Sequence, residues 1–266
     1  MKLLCFNPHN DDTIIGAGGT VIKLLRKGWK IGYVYITDGR YGSDILTPEE
    51  TEKIRAEEAK KERKILGIEN FWNMEIEDGT LEKLSAGEIE SLEKKILTII
   101  SDFSPDFILI PSLSELHPDH RSTHNIVYNL VKSNKLEIPV LKYLVWSLPD
   151  FFKKNYDLAE KAIIVNIDKE FEDKIKILKL HSSQDSEGRY TKIVYHFNSY
   201  ISLVFKTYKN LDFDKSEIIG IFNLLEKNKV SLENLLKDLE NPTDVTIMFH
   251  GRQEKKIKAQ LGDDFG

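Results

Sequence analysis

One cysteine, Cys5, stands in the 266 residues of this chain. That scarcity excludes an internal disulfide framework and a cysteine-rich zinc module. Charge of one sign is not in excess: 38 Lys and Arg face 43 Asp and Glu, a formal net charge of −5. The balance argues against nucleic acid or an anionic membrane as the main partner. No apolar run approaches the ~18 consecutive residues of a membrane span. The opening MKLLCF turns polar at Asn7, short of a signal h-region of ~7–15 residues, and no small-residue cleavage site follows. The expected location is the cytoplasm. Internal repeats, low-complexity linkers and a convincing domain boundary are also missing. The expectation is one domain over 1–266, with 210–266 a less regular C-terminal extension.

What is present suits a soluble globular protein, with 41% hydrophobic and 30% charged residues. A chain this long buries roughly three quarters of its unfolded surface, so it folds without a disulfide or structural metal. Leu3 to Phe6, Ile31 to Ile36 and Phe107 to Ile110 are apolar throughout, as strands buried on both faces of a parallel sheet are. Helices are expected between them, over Gly16–Gly28, Pro48–Leu66 and Ala86–Ser101. The second has Thr47 as N-cap, Pro48 at its first position and Glu50 closing a capping box. Its charges read as a solvated face. A short strand at Phe71-Trp72, a helix over Arg121–Val131, strands at Leu141–Trp146 and Ile163–Ile167, and a helix over Phe171–Leu180 continue the alternation. Ser216–Leu239 reads as largely helical and Val245–Phe249 as a strand. The order predicts an α/β fold: a Rossmann-like, doubly wound, mostly parallel sheet with flanking helices.

Two polar clusters fall at the carboxyl ends of predicted strands, where open α/β sheets bind ligands. The first is Pro8-His9-Asn10-Asp11-Asp12 and the second is His117-Pro118-Asp119-His120. Each alone reads equally as a turn, since Asn and Asp favour turns and Asp12 or Asp119 could cap a helix. Together they fit a catalytic metal site, which takes three N/O ligands and keeps one position for water. His9 and Asp12 could supply two ligands and His120 the third. Asp11 is placed to accept a proton from water, and His117 to face the far side of a substrate carbonyl.

These residues resemble the zinc-dependent de-N-acetylases of the LmbE-like, or PIG-L, family. The family's Pro/Ala-His-Pro-Asp-Asp-Glu motif stands here as Pro8-His9-Asn10-Asp11-Asp12-Thr13, followed by Ile15-Gly16-Ala17-Gly18-Gly19-Thr20. His-Pro-Asp-His stands intact at 117–120. Arg55-x-x-Glu58 with Leu66-Gly67, and His181-Ser182-Ser183-Gln184, are similar to two further family signatures. The resemblance covers about residues 1–185. It implies Zn2+ on His9, Asp12 and His120, with Asp11 as general base. His117 would stabilise the oxyanion or act as general acid, Asp119 would orient His117, and Arg55 would sit near the sugar. It implies an N-acetylglucosamine-containing small molecule as substrate and points to a homo-oligomer, a trimer or hexamer. Asn10 departs from the family's Pro, and Thr13 from its Glu.

Two other readings stay open. A non-haem iron oxygenase also uses two histidines and one carboxylate, though its usual pattern is His-x-Asp in an all-β setting. A non-catalytic metal- or sugar-binding protein would keep the ligands and lack the base. Gly16-Ala17-Gly18-Gly19 does not have dinucleotide-loop spacing and reads as close helix–sheet packing. His124 and His181 read as surface, core or supporting groups, His250 as a residue without a role in the site, and Cys5 as a buried apolar residue.

Overall fold

The computed structural model describes residues 1–134, 136–147, 162–209, 213–222, 229–239 and 245–248. His250 and the tail lie outside the described residues. The strands are β1 (Lys2–Asn7), β2 (Lys30–Thr37), β3 (Asn70–Ile76), β4 (Phe107–Pro111), β5 (Val140–Tyr143), β6 (Ala162–Asn166), β7 (Ser216–Phe222) and β8 (Val245–Met248). The helices are α1 (Asp12–Arg26), α2 (Pro48–Leu66), α3 (Ala86–Phe103), α4 (Pro118–Ser133), α5 (Asp168–Leu178), α6 (Arg189–Lys209) and α7 (Lys229–Asp238).

The strands form one sheet in the order β3-β2-β1-β4-β5-β7-β6-β8. The first five in that order pair in parallel, and β7, β6 and β8 join through antiparallel pairs. The apolar runs have the reason expected of them: both faces of the sheet are covered. Along β1, Leu3 and Cys5 enter a core shared with α1 and α5, while Leu4 and Phe6 enter the core under α3 and α4. The doubly wound, mostly parallel α/β fold is the one the sequence predicts.

Two local expectations need correction, and one helix is added. Ser216–Phe222 is strand β7 and not helix, with Ser216 pairing Asn166 and Phe222 pairing Val140. Ile218, Ile219, Ile221 and Phe222 are followed closely in sequence by Leu224 and Leu225, so helical and strand periods cannot be separated there. Helix α6, 21 residues long, was not expected. Helix α2 has the predicted capping box and a left-handed Gly67 at its end, but its charges are not all solvated. It buries Arg55, Glu58 and Glu62 beside Thr51 and Ala59.

The glycine-rich stretch packs as expected. A Cβ on Gly16 would collide with the Leu144 backbone and the Tyr143 ring, and one on Gly19 would lie 2.7 Å from Ile167. Helix α1 breaks from helical geometry at Ala17. The amides past that break are capped by Glu217 of β7, which accepts from Gly19 N at 2.9 Å and Thr20 N at 2.7 Å. Lys174 Nζ pairs with the same buried carboxylate at 2.8 Å.

Candidate metal centre

Strand order reverses between β1 and β4: β2 and β3 lie on one side, β5 on the other. The loops leaving β1 and β4 therefore diverge over a crevice at the topological switch point. The first loop carries His9 to Asp12 and the second carries His117 to His120. Pro118 opens α4 with His117 as its N-cap, and Asp12 opens α1.

His9, Asp12 and His120 converge. His9 Nδ1 lies 3.2 Å from Asp12 Oδ2, His120 Nε2 lies 3.2 Å from Asp12 Oδ1, and the two ring nitrogens are 3.3 Å apart. Donors held about 2.0–2.1 Å from a tetrahedral zinc stand about 3.3 Å from one another; the two imidazoles have that spacing, and each oxygen of Asp12 has it to one of them. His9, His117 and His120 also bring ring nitrogens within 4.8 Å, as do His9 and His117 with carboxylates of Asp78 and Asp119. The donors are nitrogen and oxygen, without a thiolate, as in catalytic and not structural zinc sites.

The field is that of a cation site. Burial opposes charge on His9, yet Asp12, Asp119 and Asp78 outweigh it and raise its pKa well above the ordinary value. Burial likewise opposes charge on His120, and Asp12 overcomes it, pushing the pKa up to about 9. Asp12 is held well below the usual carboxylate range by the two imidazoles, against its burial.

The far nitrogen of His9 is fixed by acids. Nε2 lies 3.1 Å from Asp78 Oδ1 and 3.4 Å from Asp119 Oδ2. A proton on Nε2 leaves the Nδ1 lone pair facing Asp12 and His120. Asp78 was not foreseen, because Glu77-Asp78-Gly79-Thr80 reads as a turn. The structure turns it inward after β3, where Tyr41 N also donates to Oδ2 at 3.1 Å.

Asp11, next in sequence to Asp12, is buried. Its Oδ1 accepts from Arg55 Nη2 at 2.8 Å, and Arg55 Nη1 donates to Gly39 O at 3.0 Å. Arg55 is 3% exposed, so it is not a surface ion-pair partner. Gly39 must be glycine: its φ is +69°, and a Cβ would sit 2.9 Å from the guanidinium.

The expected roles of Asp119 and His117 are rearranged. It is the Asp119 main-chain N–H that donates to His117 Nδ1, at 3.2 Å. The Asp119 carboxylate instead accepts from Gly79 N at 2.7 Å and approaches His9. A helix N-terminus points its free N–H groups at its cap, so the ring of His117 takes that donor and the Asp119 side chain turns away. Burial, with the charges of His9 and His120, lowers the His117 pKa. The neutral ring accepts at Nδ1 and so carries its proton on Nε2.

The remaining histidines lie apart. His124 Nδ1 is 2.9 Å from Pro111 O. His181 Nε2 is 2.6 Å from Glu62 Oε2, and Glu58 accepts from Ser183 N at 2.8 Å and Ser183 Oγ at 2.6 Å. The buried face of α2 thus ties the His181–Gln184 loop to the arginine that holds Asp11. Cys5 is buried in β1, and burial raises its thiol pKa.

Residues 4–131 match the family profile described as PIG-L: GlcNAc-PI de-N-acetylase. The chain is similar to a diacetylchitobiose deacetylase of Thermococcus kodakarensis, 34% identical over 125 residues that make 45% of each protein. It is also similar to a probable N-acetyl-alpha-D-glucosaminyl L-malate deacetylase 2 of Bacillus anthracis, 29% identical over 127 residues, 45% of this chain and 54% of that protein. The matched part spans about half the length of these curated relatives. The fold matches that of the N,N'-diacetylchitobiose deacetylase from Pyrococcus horikoshii complexed with its inhibitor, with a TM-score of 0.66 over 84% of each chain at 24% identity. The matched stretch holds β1 to β4 and both motif loops, while β5 to β8 lie beyond it. Among the described residues, no helix is long and apolar enough to cross a membrane.

Proposed function

We propose that the chain is a zinc-dependent hydrolase that removes the N-acetyl group from an N-acetylglucosamine-containing small molecule. The observation that carries this is the convergence of His9, Asp12 and His120 at 3.2–3.3 Å, with Asp11 next in sequence and held by Arg55. The matched relatives are named as deacetylases of N-acetylated sugars.

His9, Asp12 and His120 would hold the zinc, which supplies Lewis acidity to water and to the amide carbonyl. Asp11 takes the proton from the attacking water as the new C–O bond forms. The His117 Nε2–H donates to the carbonyl oxygen as it gains negative charge. The C–N bond then breaks, the proton held by Asp11 passes to the leaving amine, and acetate and the free amino sugar depart. Arg55 aims the Asp11 carboxylate, gripping Oδ1 at 2.8 Å while its other nitrogen is fixed to Gly39 O. Asp119 supports His9 by its carboxylate and His117 by its amide.

The presence of a paired, buried carboxylate beside the ligands favours an enzyme over a binding protein. The α/β setting with a His-x-x-Asp pattern favours hydrolysis over iron oxygenation. A panel of N-acetyl sugars tests the proposal: diacetylchitobiose, inositol-linked and malate-linked N-acetylglucosamine, each with zinc added or chelated. Zinc-dependent acetate release from one of them is expected. No release from any, with zinc bound, would refute the reading.

A further inference from the structure

Glu115 has no place in the reading above, yet it is fully buried next to a proposed ligand. It stands on the loop between β4 and α4, two residues before His117. Its Oε1 accepts from Val145 N at 2.8 Å and its Oε2 from Trp146 N at 3.1 Å. The same Oε2 lies 3.6 Å from His120 Nδ1, the ring nitrogen turned away from Asp12. That Nδ1 is buried and makes no hydrogen bond.

We infer that Glu115 is a positioning residue for the metal: its carboxylate keeps the proton of His120 on Nδ1, so that the Nε2 lone pair faces His9 and Asp12. The inference rests on the metal reading proposed above. Its logic is electrostatic and geometric. A neutral imidazole has one N–H and one lone pair, and the partner of one nitrogen decides which is which. A buried carboxylate facing Nδ1 favours the N–H there, and metal-ligating histidines commonly depend on such a group. Two main-chain N–H groups from the segment after β5 pin the carboxylate in place. The segment after β5, beyond the matched stretch, thereby holds the support for a proposed metal-binding residue inside it.

Glu115→Gln separates positioning from simple anchoring. The amide oxygen can accept from only one of the two main-chain N–H groups; with the oxygen on Val145 N, the NH2 group takes the Oε2 place and opposes the Nδ1–H. The ring is driven to the other tautomer, whose Nε2–H points at the metal position. Zinc affinity, measured by competition with a chromophoric chelator, should fall about 10–100-fold. Ser147→Ala removes a neighbouring tie, the Ser147 Oγ–Ser114 O bond of 2.7 Å, without touching His120. Its zinc affinity should match the wild type. A purely structural Glu115 would lower the urea midpoint of the zinc-free protein and leave zinc affinity unchanged, which overturns the inference.

A second measurement uses the wild type alone. In the zinc-loaded protein with 15N-histidine, the His120 ring should show a protonated Nδ1 and an unprotonated Nε2. The reverse tautomer overturns the inference even if Glu115→Gln does not fold. Wild-type protein that binds no zinc overturns the metal reading and this inference together. Tight zinc binding by Glu115→Gln overturns this inference alone.

Discussion

Replacing Arg55 with alanine strands Asp11 in the interior. The pair is 2.8 Å long, with side chains 4% and 5% exposed. Removing one partner of such a buried pair costs about 3–5 kcal/mol. The lost bond to Gly39 O is part of that cost. In a domain of this size, each kcal/mol lowers Tm by about 2–4 °C, so a fall of roughly 6–20 °C is expected. Kinetics should move with it. The family resemblance places Arg55 near the sugar, which would raise KM. The observed pair makes it the support of the base, so kcat should fall, and because Asp11 remains present the loss should not exceed the ~10²–10⁴-fold worth of a general base. Thermal melts of the zinc-free protein and saturation kinetics of the zinc-loaded protein check both halves. An unchanged Tm with only KM raised would refute the pairing argument and restore the substrate role.

Asp11→Asn should retain zinc and the contact to Arg55 while kcat falls about 10²–10⁴-fold, measured by acetate release; loss of bound zinc would instead make Asp11 a ligand. Gly16→Ala should cost about 1–3 kcal/mol in urea melts, since the added methyl meets the Leu144 backbone and Tyr143 ring. The His181–Glu62 pair should be visible in the pH dependence of stability. Burial works against charge on His181, but Glu62 outweighs it and raises the pKa. The folded value thus exceeds the unfolded value of about 6.5, so the contribution is complete below that pH and is lost as pH rises through the folded value. The stability gap between wild type and His181→Gln should therefore narrow as pH rises above about 6.5, and a gap that stays flat would contradict the pairing.

Much of the centre was readable before any coordinates, for a physical reason. A parallel sheet needs strands that are apolar throughout, and LLCF and FILI stand out as such against flanking polar loops. Chemistry that follows such strands must lie at their carboxyl ends, which located His9, Asp11, Asp12, His117 and His120. Asp78 and Glu115 were not readable in that way. Each supports a histidine remote in sequence or one turn ahead in a helix, and nothing local separates an inward carboxylate from a turn or surface one. Arg55, Glu58 and Glu62 misled for the same reason: the helix that carries them looks solvated, and their burial is stabilised by partners on the β1–α1 loop and at His181 to Ser183. The β7 strand was hidden by a sheet edge that the antiparallel strands extend beyond the βαβ alternation.

The central claim, that His9, Asp12 and His120 together hold the one ion hydrolysis requires, is tested most directly by titrating zinc into chelator-stripped protein while following acetate release from a responsive N-acetyl sugar. Activity should rise from near zero and break to a plateau at one zinc per chain, and Asp12→Ala should give no such break. Full activity in the stripped protein, or an undiminished one-zinc break in Asp12→Ala, would contradict it.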